Sequence, residues 1–583
     1  MSEGEPIMLK RCVGLLVRVA LLAVIIWGSN LWLVRIRDSI QSHRSVLVGQ
    51  PKLGEPGSPL VQQVVLVLIE GLRYDASLEM PFLNSLREQG FDAPCRAQYP
   101  SYSQNTWTTL ISGAGPEIND APLVDLPYEE TSHLTVDDLF TEAHRASLAT
   151  ALAGPQLWGR LIPAEALGRT FLAPVTGGDG DQQVIEAALG FMEQIPPNFM
   201  LVQFSEVRKA AQCCGTQSRA HQDAVLQADA QLRAILETMS LRRSVLVVTS
   251  DHGYLADGGH GGADEEVVLV PFVMAGGRVA PGSHAEIAQT DVAPTIAALL
   301  GLAVPSAAQG EIMFDALLVD EAESAEKWVS WSQQRVELAD VYLESIGQEP
   351  LSQGARGDAE VAYSSFLVRN FGSAHSLAGF AVQGSDAEMA KARSQRMATE
   401  QHRRLFVAVP AVLAVAYLLW RRWSRTTAVL VVSALGTLVI YNLLYIWEGE
   451  VYSFSAVGTW DAFMSESVVR MARALLPGAC ILVWLTWRQR KRLPIGVATL
   501  NYSYALILAF FLALPLAVAY VGNGLEVTWR LPDPLLAFVQ VSALTQLGVA
   551  AFMTLLLPLV TIPLDRSLRW AAEKVRAGRA GSQ

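Results

Sequence analysis

Cysteine and charge are both scarce in this sequence, and each shortage excludes a class of protein. The five cysteines, Cys12, Cys95, Cys213, Cys214 and Cys480, show no CxxC spacing, so a thiolate zinc ribbon is excluded. Charged residues make up only 17% of the chain, and the formal net charge is -12. A concentrated basic surface is therefore missing, which argues against a nucleic-acid partner. No internal repeat or low-complexity tract organises the chain. What is abundant is apolar: 51% of 583 residues are hydrophobic and the mean hydropathy is positive. Such a chain is too long for one core and too greasy for a wholly soluble protein, so a membrane portion and at least two units are expected.

The apolar residues fall in long runs. Val13 to Val34 is almost wholly apolar, interrupted by Arg18, and preceded by Lys10 and Arg11. That is close to the ~20 residues that cross a bilayer, and with no clear small-residue cleavage site it reads as an uncleaved anchor rather than a signal peptide. A Gly/Pro-rich connection, Gly49 to Pro59, leads to a domain of ordinary composition over 60–315. A polar, helix-rich linker covers 316–402. Five further apolar segments occupy 405–562: Leu405–Trp420, Ala428–Trp447, Val468–Trp487, Ile495–Val521 and Leu535–Ile562. Arg421, Arg422 and Arg425 follow the first, Arg488, Arg490, Lys491 and Arg492 the third, and Arg566, Arg569, Lys574 and Arg576 the last, in a basic tail over 563–583. The positive-inside rule then puts both termini, 1–12 included, in the cytoplasm and the 60–315 domain on the outer side of a multi-pass protein.

Within that domain, apolar runs at Val64–Ile69, Phe199–Phe204 and Ser244–Thr249 alternate with helical patterns such as Gln222–Met239. Continuous apolar strands alternating with helices predict an α/β fold with a mainly parallel sheet buried on both faces. Ligand sites in such sheets gather beyond the carboxyl ends of strands. Cys95 pairs with Cys213 or Cys214 if the domain meets an oxidising compartment, and free buried thiols are the alternative.

Three clusters sit where chemistry is expected. The first strand ends in Glu70-Gly71, a carboxylate able to bind a hard cation or merely to cap a helix. Pro100 to Gly113 reads as a loop entering a helix that stops at glycine. A hydroxyl at its start, Ser101 or Ser103, meets the positive end of the helix dipole, which suits a nucleophile or a phosphate as well as a simple cap. The third strand ends in Asp251-His252-Gly253, followed by Gly258-Gly259-His260-Gly261-Gly262 and Asp264. An oxygen and an imidazole side by side, with glycines allowing close backbone approach, form a metal-binding pattern.

Together with Gly113-Ala114-Gly115-Pro116-Glu117 and the late Asp291-Val292-Ala293-Pro294-Thr295, these motifs resemble, in order, the alkaline phosphatase superfamily over Val64 to about Gly310. The likeness is to its phosphodiesterase, sulfatase-like and phosphoethanolamine transferase branches. It implies an alkaline phosphatase-like sheet flanked by helices, with Ser103 as nucleophile and Glu70, Ser103, Asp251 and His252 around one divalent cation, Zn, Mn or Mg. The family's second metal would need an aspartate and a histidine where this chain carries Arg208 and Gln212, leaving only His260, so one metal is expected. Arg208, His260 and Asn105 are then candidates for substrate binding. Arg208 would act as a fixed charge on a phosphate oxygen, and His260 would contact substrate or protonate a leaving group.

One anchor, an outward domain and a multi-spanning C-terminal block also resemble the glycosylphosphatidylinositol ethanolamine-phosphate transferases. That architecture implies a phospholipid or lipid-linked glycan substrate and transfer of a phospho-alcohol group through a covalent Ser103 intermediate. Hydrolysis by the same site and a catalytically silent membrane scaffold are the alternatives. The stretch Ser103-Gln104-Asn105-Thr106-Trp107 lacks the Cys/Ser-x-Pro/Ala-x-Arg pattern of sulfatases, which disfavours sulfate-ester cleavage.

Overall fold

Strand β1 (Gln63–Ile69) is buried along its whole length, and its side chains alternate between two separate cores. Val64, Leu66 and Leu68 pack with Trp107, Leu110 and Ile111, whereas Val65, Val67 and Ile69 pack with Val207, Leu232 and Ile235. The period-2 alternation of a strand feeds both faces of the sheet, and each buried Val, Leu or Ile contributes about 1.5–3 kcal/mol relative to exposure.

The computed structural model describes residues 4–174, 180–458, 460–488 and 494–580. The further strands are β2 (Phe91–Arg96), β3 (Thr150–Pro155), β4 (Arg169–Ala173), β5 (Phe199–Phe204), β6 (Ser244–Thr249), β7 (Leu269–Gly276), β8 (Gly282–Ser283) and β9 (Ile287–Ala288). They form one sheet in the order β4-β3-β5-β1-β6-β7-β2-β8, with β9 on β2. The run from β4 to β6 is parallel, and only β7 pairs antiparallel with its neighbours β6 and β2. This is the mainly parallel, helix-flanked sheet expected from the sequence. The register aligns Ile69 with Phe204 and Leu68 with Thr249, so the loops after β1, β5 and β6 open at one edge.

The expected pairing of Cys95 with Cys213 or Cys214 is not formed. Cys95 is a free, fully buried thiol in the first core, while Cys213 and Cys214 are bonded to each other. The Glu206–Cys214 helix lays Val207 and Ala210 into the second core, so the sheet separates the partners.

The chain divides into two units. One comprises Ile40–Ala398 with Thr528–Leu531, and includes the sheet. Most of the 316–402 stretch, expected as a linker, lies in this unit as the helices Glu321–Ser345 and Gln353–Leu367 and the start of Phe371–Arg421. They pack firmly there: Val336, Ala339 and Tyr342 share a core with Ala114 and Ile118. Arg335, 2% exposed, donates to the Gly310 carbonyl at 2.8 Å.

The other unit holds the remaining N- and C-terminal residues. Among the described residues, six helices are long and apolar enough to cross a membrane: Lys10–Gln41, Phe371–Arg421, Arg425–Trp447, Trp460–Arg488, Gly496–Asn523 and Pro534–Lys574. Small residues let the helices of this unit approach. Gly478 leaves room where an added Cβ would stand 2.5 Å from Tyr504 Oη, and that hydroxyl bonds Thr437 Oγ1 at 2.7 Å. Arg490, Lys491 and Arg492 of the third basic cluster lie outside the described residues.

Candidate active site

Ser103 is the first residue of the Ser103–Ser112 helix, whose N-cap is Tyr102 and whose C-cap, Gly113, is left-handed at φ 70°. An added Cβ on Gly113 would stand 2.9 Å from Pro294 Cδ, so glycine serves both the turn and the packing of the later Val292–Leu300 helix. The hydroxyl therefore projects from a helix N-terminus that is buried in the sheet's carboxyl edge. Ser103 Oγ lies 3.2 Å from Glu70 Oε1 and 3.1 Å from His252 Nε2. Three loops from β1, β6 and the helix start meet on one oxygen.

Each carboxylate has one side tied down. Glu70 Oε2 accepts from Gln203 Nε2 at 3.0 Å and Ser205 Oγ at 2.7 Å, which leaves Oε1 facing Ser103. Asp251 Oδ1 accepts from the Gly71 and His252 backbone N–H groups, both at 2.9 Å. Its Oδ2 accepts from Trp107 Nε1 at 2.9 Å and lies 3.5 Å from His252 Nε2. His252 Nδ1 is 3.0 Å from the Gly253 carbonyl; a carbonyl only accepts, so Nδ1 carries the hydrogen and neutral Nε2 is left as the acceptor toward Ser103.

Burial governs the electrostatics. It pushes the Glu70 carboxyl above its ordinary range, an effect that the Arg208 charge opposes, and it raises Asp251 despite the hydrogen bonds it accepts. Burial also lowers His252 and His260, keeping both imidazoles neutral. The one cation paired with Glu70 among the described residues is Arg208, whose Nε stands 3.1 Å from Oε1. That N–H is not aimed for a hydrogen bond, so charge holds the pair.

Beyond this centre the His260 ring stacks on His252 with centroids 4.8 Å apart and contacts Tyr102 and Tyr254. His260 Nε2 is 3.8 Å from Asp125 Oδ2, too far for a hydrogen bond but close enough to couple electrostatically. Gln212 Nε2 donates to Tyr254 Oη at 3.1 Å. Asn105 is fully buried, and its Nδ2 donates 2.7 Å to the Pro100 carbonyl, which fixes the loop before the helix. Ser101 performs a similar task, its Oγ accepting from Gly261 N and donating to the Gly262 carbonyl.

Of the residues singled out in the sequence, Glu70, Ser103, Asp251, His252, Arg208 and His260 thus converge, and Asn105 follows Ser103 in the first turn of the same helix. Sequence reasoning missed Gln203, Ser205, Trp107, Asp125, Tyr254 and Gln289. The last, fully buried, donates to the Asp251 carbonyl at 2.9 Å. The position of Gln203 and Ser205 at the end of an apolar strand parallel to β1 was the one available signal.

Two carboxylates, an imidazole and a hydroxyl are the donor chemistry of a hard or borderline divalent cation, and the bonds that orient their far sides are those that ligands of such ions require. The donors fit. Their present spacing, however, follows Ser103 and Arg208: among the described residues no three His, Cys, Asp or Glu side chains are arranged to enclose an ion.

Family models match this region: Sulfatase over residues 97–302, and Type I phosphodiesterase / nucleotide pyrophosphatase over residues 64–120. Residues 64–302 thus resemble the sulfatase and type I phosphodiesterase families. The chain is similar to human GPI ethanolamine phosphate transferase 3, catalytic subunit, with 27% identity over 299 residues, 45% of this chain and 26% of the relative. Human GPI ethanolamine phosphate transferase 2, catalytic subunit, is 23% identical over 280 residues, 44% of this chain and 28% of the relative. The chain therefore spans little more than a quarter of these relatives' lengths. Among solved structures, murine ectonucleotide pyrophosphatase / phosphodiesterase 5 in complex with AMP has 12% identity and a TM-score of 0.34, covering 42% of this chain and 96% of that one. A protein in the alkaline phosphatase superfamily from Vibrio parahaemolyticus has 14% identity and a TM-score of 0.34, covering 50% and 79%. The site described here has Glu70 after β1 paired with Arg208, and Gln212 bonded to Tyr254, on whose ring His260 packs.

Proposed function

We propose that the chain is a membrane-bound, metal-dependent transferase that moves a phospho-alcohol group such as phosphoethanolamine from a phospholipid to a glycan or lipid acceptor. The observation that carries the reading is Ser103 Oγ, held at a helix N-terminus between Glu70 Oε1 and His252 Nε2 at 3.2 and 3.1 Å. The similarity to GPI ethanolamine phosphate transferases supports the class of group transferred. Lipid substrates suit a chain with six helices, among the described residues, apolar enough to cross a bilayer, and the basic clusters after the first, third and fifth C-terminal segments support an outward-facing domain.

Glu70, Asp251 and His252, with Ser103, would hold one divalent cation, which when bound would lower the hydroxyl's pKa and polarise a phosphoryl oxygen. In the first half-reaction Ser103 Oγ gives up its proton and bonds to phosphorus while the bond from phosphorus to the diacylglycerol oxygen breaks, and that oxygen takes up the proton. In the second half, the acceptor hydroxyl gives up its proton and bonds to phosphorus while the phosphorus–Oγ bond breaks, and Ser103 Oγ takes the proton back. Arg208 balances the phosphoryl charge, and His260 stands beside His252 to carry the proton.

Mass spectrometry of lipids and glycans from cells with and without the protein tests the reading. A phospho-alcohol adduct present only with the protein supports transfer. A free phosphorylated headgroup that appears only with the protein, without an adduct, identifies a hydrolase, and an unchanged profile in both indicates a silent scaffold.

A further inference from the structure

Glu70 is 1% exposed, and of its partners only Arg208 carries a charge; Ser103, Gln203 and Ser205 are neutral. Asp251, equally buried, is satisfied by backbone N–H groups, Ser250 and the Trp107 indole. A single guanidinium therefore balances two buried carboxylates. A buried ion pair retains its place only if nothing better compensates the carboxylate, and Arg208 is poorly anchored: its Nε–H has no hydrogen-bond partner and 28% of its side chain is exposed. It occupies the Oε1 side of Glu70, the side that faces Ser103 and the open edge of the site. A divalent cation on that oxygen and a guanidinium nitrogen 3.1 Å from it repel each other at contact range.

We propose that Arg208 is an exchangeable internal counter-ion: it neutralises Glu70 while the site is metal-free, is displaced when a divalent cation binds, and then becomes the ligand of a phosphate oxygen. This inference rests on the proposed metal role of Glu70, Asp251 and His252. Metal loading and phosphate recognition are then coupled through one side chain. The length of arginine and its planar fork suit both positions, since it can pair with a carboxylate or a phosphate bidentately.

The test is calorimetric titration of the purified full-length chain with Mn2+, in wild type, R208Q, R208K and E70Q, followed by inorganic phosphate on the loaded proteins. R208Q removes the competitor and should bind Mn2+ at least tenfold more tightly than wild type, while its loaded form binds phosphate at least tenfold more weakly. R208K, which keeps a charge and the fold, should stay within a few-fold of wild type for Mn2+ but lose part of the phosphate affinity. Equal or weaker Mn2+ binding by R208Q, with wild type binding normally and E70Q not at all, would overturn the counter-ion role and leave the metal reading standing. No Mn2+ binding by any of the four would overturn both.

Discussion

Trp107 Nε1 donates a 2.9 Å hydrogen bond to Asp251 Oδ2, tying the Ser103–Ser112 helix to the end of β6. The same indole stacks on Trp158 at 5.0 Å, so it is locked by packing before it bonds. Asp251 is fully buried, and an acceptor there that loses a donor cannot turn to water. Trp107→Phe keeps the stack and removes the bond. Metal affinity or turnover should fall by about 10–100-fold, as for the loss of other groups that orient a metal ligand, with the protein still folded. Calorimetry and steady-state assay of the variant measure it; unchanged values would remove Trp107 from the site.

Gly71 follows Glu70 at φ 81°, and an added Cβ would stand 2.6 Å from Tyr254 Cε2 and 3.1 Å from Arg208 Cα. The backbone conformation and the crowding both disfavour a side chain. Gly71→Ala should cost about 1–3 kcal/mol of stability and displace the N–H that Asp251 Oδ1 accepts. Thermal unfolding together with turnover is the check, and a variant of full stability and rate would show that the loop relaxes freely.

Asp181 reaches from its own helix to cap another, accepting the Ser205 and Glu206 N–H groups at 2.8 and 2.9 Å. Burial raises its carboxyl to about 6 from an ordinary 3.8. Because the unfolded chain releases this proton first, stability falls as pH rises from about 4 to about 6 and the loss is complete above that, up to ~3 kcal/mol in all. Asp181→Asn removes the titration. The stability of the wild type relative to the variant should therefore decline over that window and then level off, as read from denaturant unfolding at stepped pH. A constant difference would contradict the burial argument.

The parts of this site that were legible in the sequence are those with a local signature. β1, β5 and β6 are continuous apolar runs, and Glu70, Asp251 and His252 follow the first and last of them directly. Ser103 precedes a helix whose end is marked by Gly113. Gln203 and Ser205 were not legible because what matters is that β5 lies beside β1, a pairing that brings residues more than 130 positions apart into contact. Asp125 belongs to a loop without a motif, and Trp107 reads simply as the apolar side of a helix. The state of the cysteines stayed open in the sequence for a related reason. Spacing cannot reveal that the sheet stands between Cys95 and the Cys213–Cys214 pair. The polar composition of 316–402 suggested a connector, but Val336, Ala339 and Tyr342 form a stripe at helical spacing that a folded surface covers.

The central claim is that Ser103 becomes covalently phosphorylated by its lipid donor. The measurement is peptide mass spectrometry of the full chain incubated with phosphatidylethanolamine and Mn2+ and quenched in acid. A phosphoethanolamine adduct on the peptide bearing Ser103, absent from the Ser103→Ala variant together with all turnover, is the predicted result. An unmodified Ser103 peptide in a chain that turns over, or undiminished turnover by Ser103→Ala, would contradict it.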